Sequence, residues 1–116
     1  MKSILLSLAV IVTFASCEKS LIAAGTPSCI KKMILDNKDD RNWEVGKVEE
    51  YKFQGKLVYA LQPDNRMIAD GATRVVSNDC VSICSVGGFG GPAVNLCNGE
   101  NFFQNAILIR EIWNKY

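Results

Sequence analysis

The stretch Val48-Glu49-Glu50-Tyr51-Lys52-Phe53-Gln54-Gly55-Lys56-Leu57-Val58-Tyr59 decides the fold. Tyr51 and Phe53 alternate with Glu50, Lys52 and Gln54; beyond Gly55, Leu57, Tyr59 and Leu61 alternate with Lys56, Val58 and Ala60. A period of two sends alternate side chains to one face of a strand, and a glycine between two such runs marks a turn. The pattern predicts a β-hairpin with one buried, aromatic-rich face. Its first strand reaches back to Val45, and Gln62-Pro63-Asp64-Asn65 ends the second in turn residues.

Upstream, Thr26-Pro27-Ser28 offers a capping hydroxyl followed by a proline at the first helical position. Ile30, Met33 and Ile34 then follow at i, i+3 and i+4, giving one apolar helix face that should end near Asn37. The run Lys38-Asp39-Asp40-Arg41 reads as a solvated loop. Downstream, residues 73–77 form a short strand around Val75 and Val76, residues 80–86 another, and residues 106–113 a closing strand. Both faces of that last segment are apolar, which predicts a central position. The sum is an α+β domain: one N-terminal helix packed on a mostly antiparallel sheet of about four strands. Trp113 and Phe103 are expected in its core.

Lys2 and the twelve residues from Ile4 to Ala15, broken only by Ser7 and Thr13, have the form of an export signal. Twelve residues are too few to span a bilayer, which needs about 20. Phe14-Ala15-Ser16-Cys17 resembles the lipobox of bacterial lipoproteins, with Phe14 where leucine is usual. That resemblance implies cleavage before Cys17, a diacylglycerol on its sulfur and an acyl chain on its new amino group. One chain anchors only marginally, so three on one residue fix a protein to the membrane. Glu18, where an aspartate would resemble an inner-membrane retention signal, points to the outer membrane of a Gram-negative bacterium. The expected organisation is a signal peptide at 1–16, a lipidated tether at 17–26 and one α+β domain at 27–116.

Four further cysteines, Cys29, Cys80, Cys84 and Cys97, suit two disulfides in an oxidising compartment. Three connectivities are open; Cys29–Cys80 with Cys84–Cys97 is preferred, closing one long loop and one short one.

The chain has no histidine, which removes Ser-His-Asp and Cys-His catalysis and histidine-ligated metals. Once Lys2 leaves with the signal, twelve basic residues face twelve acidic ones, so no charge footprint for nucleic acid exists. Gly87-Gly88-Phe89-Gly90-Gly91 lacks the lysine or the spacing of a phosphate loop. Asp70, Asn78, Asp79 and Glu100 lack the spacing of an EF-hand. Adjacent Glu49 and Glu50 face opposite sides of a strand, so they cannot work as a catalytic pair. Neither metal nor cofactor is expected. The glycine loop, with Val86, Phe89 and Pro92, is the candidate interaction surface, because aromatics dominate interface hot spots.

With these residues together, the chain resembles an uncharacterised family of small bacterial lipoproteins with domains of unknown function. The resemblance runs from Cys29 to Trp113. It rests on Cys29-Ile30-Lys31-Lys32, the Tyr51-Lys52-Phe53-Gln54-Gly55-Lys56 hairpin, Cys80 and Cys84, Gly87-Gly88-Phe89, Cys97-Asn98-Gly99 and Ile112-Trp113. It implies a shared fold and export, and carries no catalytic residue with it. The expected function is a non-catalytic, membrane-anchored envelope module that binds another envelope protein or supports envelope structure. The alternatives are an inhibitor of a lysozyme or protease, and a periplasmic binder of a small ligand or metal.

Overall fold

The hairpin appears as β1 (Val45–Phe53) and β2 (Lys56–Pro63) in a computed structural model that describes residues 21–68, 71–88 and 92–116. Gln54 and Gly55 make a two-residue turn in which both residues have positive φ, 51° and 76°, as a tight hairpin of the right twist requires. This turn sets Phe53 opposite Lys56, Tyr51 opposite Val58 and Glu50 opposite Tyr59. Tyr51 and Phe53 therefore share a face with Val58 and Ala60, whereas Tyr59 and Leu61 share the other with Val48. The expected single aromatic face is corrected: both faces of the hairpin are buried. Val58 and Ala60, read as the solvent side, are apolar enough to carry a second core.

β3 (Thr73–Val76), β4 (Ser82–Val86) and β7 (Ile107–Asn114) complete an antiparallel sheet of order β4-β3-β2-β1-β7. β5 (Leu96–Cys97) and β6 (Glu100–Asn101) form a separate small ladder, followed by the four-residue helix α2 (Phe102–Asn105). The α+β class holds. The main sheet has five strands rather than four, and β7 lies at its edge rather than its centre.

Helix α1 (Ser28–Asn37) packs Ile30 and Ile34 against Val48, Tyr59, Leu61, Val76, Ile112 and Trp113. It is not N-terminal, because residues 21–27 precede it and are themselves docked. Pro27, not Thr26, occupies the capping position, and no side chain among the described residues caps the helix. The Thr26 hydroxyl turns back and donates to the Ala23 carbonyl at 2.6 Å. On the opposite face, β5, β6 and α2 fold over the sheet and bury Phe102 against Phe53 and Tyr51, with ring centroids 5.2 Å apart in both pairs. Phe103 is 53% exposed, so the expected core role belongs to its neighbour Phe102. A single helical turn aims only one of two successive side chains inward.

Cys29 is bonded to Cys80, tying α1 to the β3–β4 connection, and Cys84 is bonded to Cys97, tying β4 to the small ladder. Each disulfide thus fastens one covering layer to the sheet.

Gly46 sits at a bulge in β1 opposite β2. A Cβ there would lie 2.9 Å from the Asp64 Cα and 3.3 Å from its nitrogen, against backbone that cannot rotate away. Gly46→Ala is expected to cost about 1–3 kcal/mol through overpacking, read as a lower urea midpoint at unchanged slope.

Candidate functional site

Two successive carboxylates in β1 are both buried, Glu49 at 8% and Glu50 at 5% exposure. Glu50 lies on the α1 face. The Tyr59 hydroxyl donates to its Oε2 at 2.7 Å, and Arg110 Nε donates to its Oε1 at 3.2 Å. Burial, and then the hydrogen bond to Glu50, hold the Tyr59 phenol far above its ordinary pKa. Glu49 points to the other face, where Gln62 Nε2 and the Tyr51 hydroxyl donate to its Oε1 and Lys47 Nζ stands 3.7 Å away. The Tyr51 phenol is likewise raised, mainly by burial and then by the Glu49 charge. The sheet separates the two acids, and each accepts from its own set of donors. Such an arrangement braces a fold.

Asp64, 2% exposed, anchors the opposite end of the hairpin. Lys115 Nζ and the Tyr116 hydroxyl each donate to its Oδ2 at 2.8 Å, and the Arg66 backbone N–H donates to Oδ1 at 3.0 Å. Arg66 lies over the Tyr116 ring, 3.8 Å from its centroid. These contacts fasten the last residues of the chain to the β2–β3 connection. The Lys115 hydrogen bond is the largest cause that lowers the Asp64 carboxyl from 3.8 to about 2. A lowered folded-state pKa stabilises above the unfolded value and ceases to do so as pH falls through the folded one. Urea midpoints should therefore fall between about pH 4 and pH 2, and Asp64→Asn should remove that part of the slope.

A cleft of about 380 Å³ opens beside this end, lined by Trp43, Val45, Leu61, Pro63 and Ile68, with Glu44 and Arg74 at its polar side. Trp43 packs on the buried Trp113, ring centroids 5.4 Å apart. Trp113 Nε1 is buried without a hydrogen-bond partner among the described residues.

The free edge of β7 is the remaining feature. Two bulges interrupt its register with β1. Along its C-terminal half the segment before α1 lies against it: the Ala23 N–H donates to the Ile112 carbonyl at 2.9 Å, and Arg110 Nη1 donates to the Ala24 carbonyl at 2.5 Å. Arg110 thus joins the docked segment to buried Glu50. Residues 21–26, expected as a tether, are part of the fold, and Ile22 and Ala23 pack on the α1 core. Along the N-terminal half, Ile107, Leu108 and Ile109 are 63%, 52% and 48% exposed.

A family model for a domain of unknown function, DUF6970, matches residues 35–115. The chain belongs to the DUF6970 family. No curated protein and no solved structure matches it.

The DUF6970 match takes in every strand among the described residues and the last turn of α1, and begins after Cys29, so it is shorter at the N-terminal side than the resemblance expected from sequence. Within the DUF6970 domain the expected interaction loop is described only in part. Val86 ends β4 completely buried in the α2-side core, which bars it from touching a partner. Pro92 opens a 3₁₀ turn (Pro92–Asn95), and Phe89 lies outside the described residues. Cys17, the signal segment and Asp70 also lie outside them. Among the described residues no three His, Cys, Asp or Glu side chains gather as a metal-binding group. Sequence reasoning treated Asp64 as a turn residue and missed its clamp, because Lys115 and Tyr116 are remote in the chain. It also missed the β5–β6 hairpin, although Asn98-Gly99 is the strongest short hairpin signal present.

Proposed function

We propose that this chain is a non-catalytic lipoprotein of the bacterial cell envelope, anchored through Cys17 to the outer membrane, whose folded domain binds another envelope protein or supports envelope structure. The docked segment carries the reading. Because Leu21 to Thr26 lie along the fold, only four residue steps separate Cys17 from the first of them, so an anchor there would hold a rigid domain close to a surface. Two disulfides suit an exported domain of this size. The separation of Glu49 from Glu50 by the sheet supports a role without acid–base chemistry.

The intact, non-reduced mass of the protein from host membranes tests it. The expected result is loss of residues 1–16, three acyl groups and a deficit of four hydrogens for two disulfides. A mass without lipid would overturn the anchored reading.

The Trp43 cleft favours a second reading, a small-ligand binder. Its volume lies in the range of small-molecule sites, and it offers an aromatic wall beside Arg74, which has no ion pair among the described residues. A planar carboxylate would suit it. Aromatic carboxylates that raise the melting temperature of the protein but not of Arg74→Ala would support this reading.

A further inference from the structure

We propose that the β7 edge is the face on which the domain lies against the lipid bilayer, with Ile107, Leu108 and Ile109 seated at the headgroup–acyl boundary. The inference rests on the lipid anchor at Cys17 and adds an orientation to it.

Chain length sets the geometry. Leu21 runs beside Glu111 to Asn114 at one end of β7. A chain extends at most about 3.3–3.6 Å per residue, so Cys17 can stand no more than roughly 14 Å from Leu21. An acylated Cys17 lies at the membrane surface, which keeps this edge, rather than β4 on the far side of the sheet, next to the bilayer. Strand rise puts Ile107 about 20 Å from Trp113 along the same edge, so a strand lying parallel to the surface brings both ends down together.

The side chains suit that surface. Ile107 pairs with Lys52 and Leu108 with Tyr51, so these consecutive large apolar residues, each about half exposed, flank the edge on both sides of the sheet and leave it apolar all round, unlike the single exposed apolar residues common on soluble domains. Lys52 pairs with both Ile107 and Leu57, which is 50% exposed, and Lys56 lies one residue further along the hairpin. Lys52 and Lys56 are exposed and have no ion pair among the described residues, which suits anionic headgroups. The bulges in β7 disfavour the alternative, in which another strand pairs along the same edge.

The test uses the mature protein from host membranes, reconstituted in vesicles of phosphatidylethanolamine and phosphatidylglycerol that contain a phosphatidylglycerol with a photoactivatable acyl chain. Labelled peptides are then mapped by mass spectrometry. Labelling at Ile107, Leu108 and Ile109 should exceed that at Leu35 on α1 and at Val81 before β4 by about tenfold, both being exposed apolar controls away from this edge. Equal labelling at all five positions, or none on β7, in protein whose mass shows the acyl groups would overturn the docking and leave the anchor standing. Crosslinks between two copies through Lys52, which pairs with Ile107, formed by a bifunctional amine reagent on the same vesicles in place of lipid labelling, would assign the edge to a second copy and overturn it also. A mass without acyl groups would overturn both readings.

Discussion

Phe102→Ala is expected to cost about 3–5 kcal/mol, the range for truncating a fully buried aromatic in a core that cannot collapse around the gap. Phe102 is completely buried and meets three rings, Tyr51, Phe53 and Phe103. It is also the main apolar contact by which the β5–β6–α2 excursion holds the sheet, since Cys97 is otherwise fixed through its disulfide. Loss of the ring should therefore lower the urea midpoint of the whole domain and raise amide exchange first in residues 96–105. Phe103→Ala, one position on and half exposed, should cost far less. Equal effects would mean that the excursion is not held by Phe102.

Replacing Cys29 and Cys80 together by serine is expected to cost about 4 kcal/mol, because their bond closes a loop with a sequence separation of 51. For a domain of this size that corresponds to a fall of roughly 15–30 °C in melting temperature. The Cys84–Cys97 bond spans only 13 residues, and its double replacement should cost about 3 kcal/mol. Both losses are large against the 5–15 kcal/mol that holds an ordinary domain folded. The first pair also detaches α1, whose Ile30 and Ile34 are buried completely, so near-ultraviolet circular dichroism of Trp113 should weaken with it.

The hairpin and α1 were legible in the sequence because each is written locally, in a period of two and a spacing of three and four. The even cysteine count gave the number of disulfides but left three connectivities open, one bond joining residues 51 apart. The faces of the hairpin were not. Val58 and Ala60 are apolar like their neighbours, so alternation alone could not say that the sheet is covered twice; the Gln54-Gly55 turn and α2 decide it. The edge position of β7 was hidden for a related reason. Apolarity on both faces normally means burial, and here Ile107 to Ile109 are apolar yet open. Asp64 illustrates non-local chemistry. Its neighbours read as turn residues, and the groups that ionise it firmly arrive from 51 and 52 positions away. Of the candidate loop, only the burial of Val86 bears on its role, and that removes it from any contact surface.

The back-to-back placement of Glu49 and Glu50 has a consequence for how strands find their alignment. Shifting β1 by one residue against β2 would carry every side chain to the opposite face. Glu50 would then reach Gln62 on β2 but lose Tyr51 and Lys47, which the shift carries to the other face with the rest of β1, and Glu49 would turn toward the apolar surface beneath α1 without Tyr59 or Arg110 in position. A misaligned sheet would hold two desolvated negative charges with few donors, far costlier than two leucines in the wrong place. The paired acids thus act as an error check on assembly: the correct register is the one in which both charges find their donors at once.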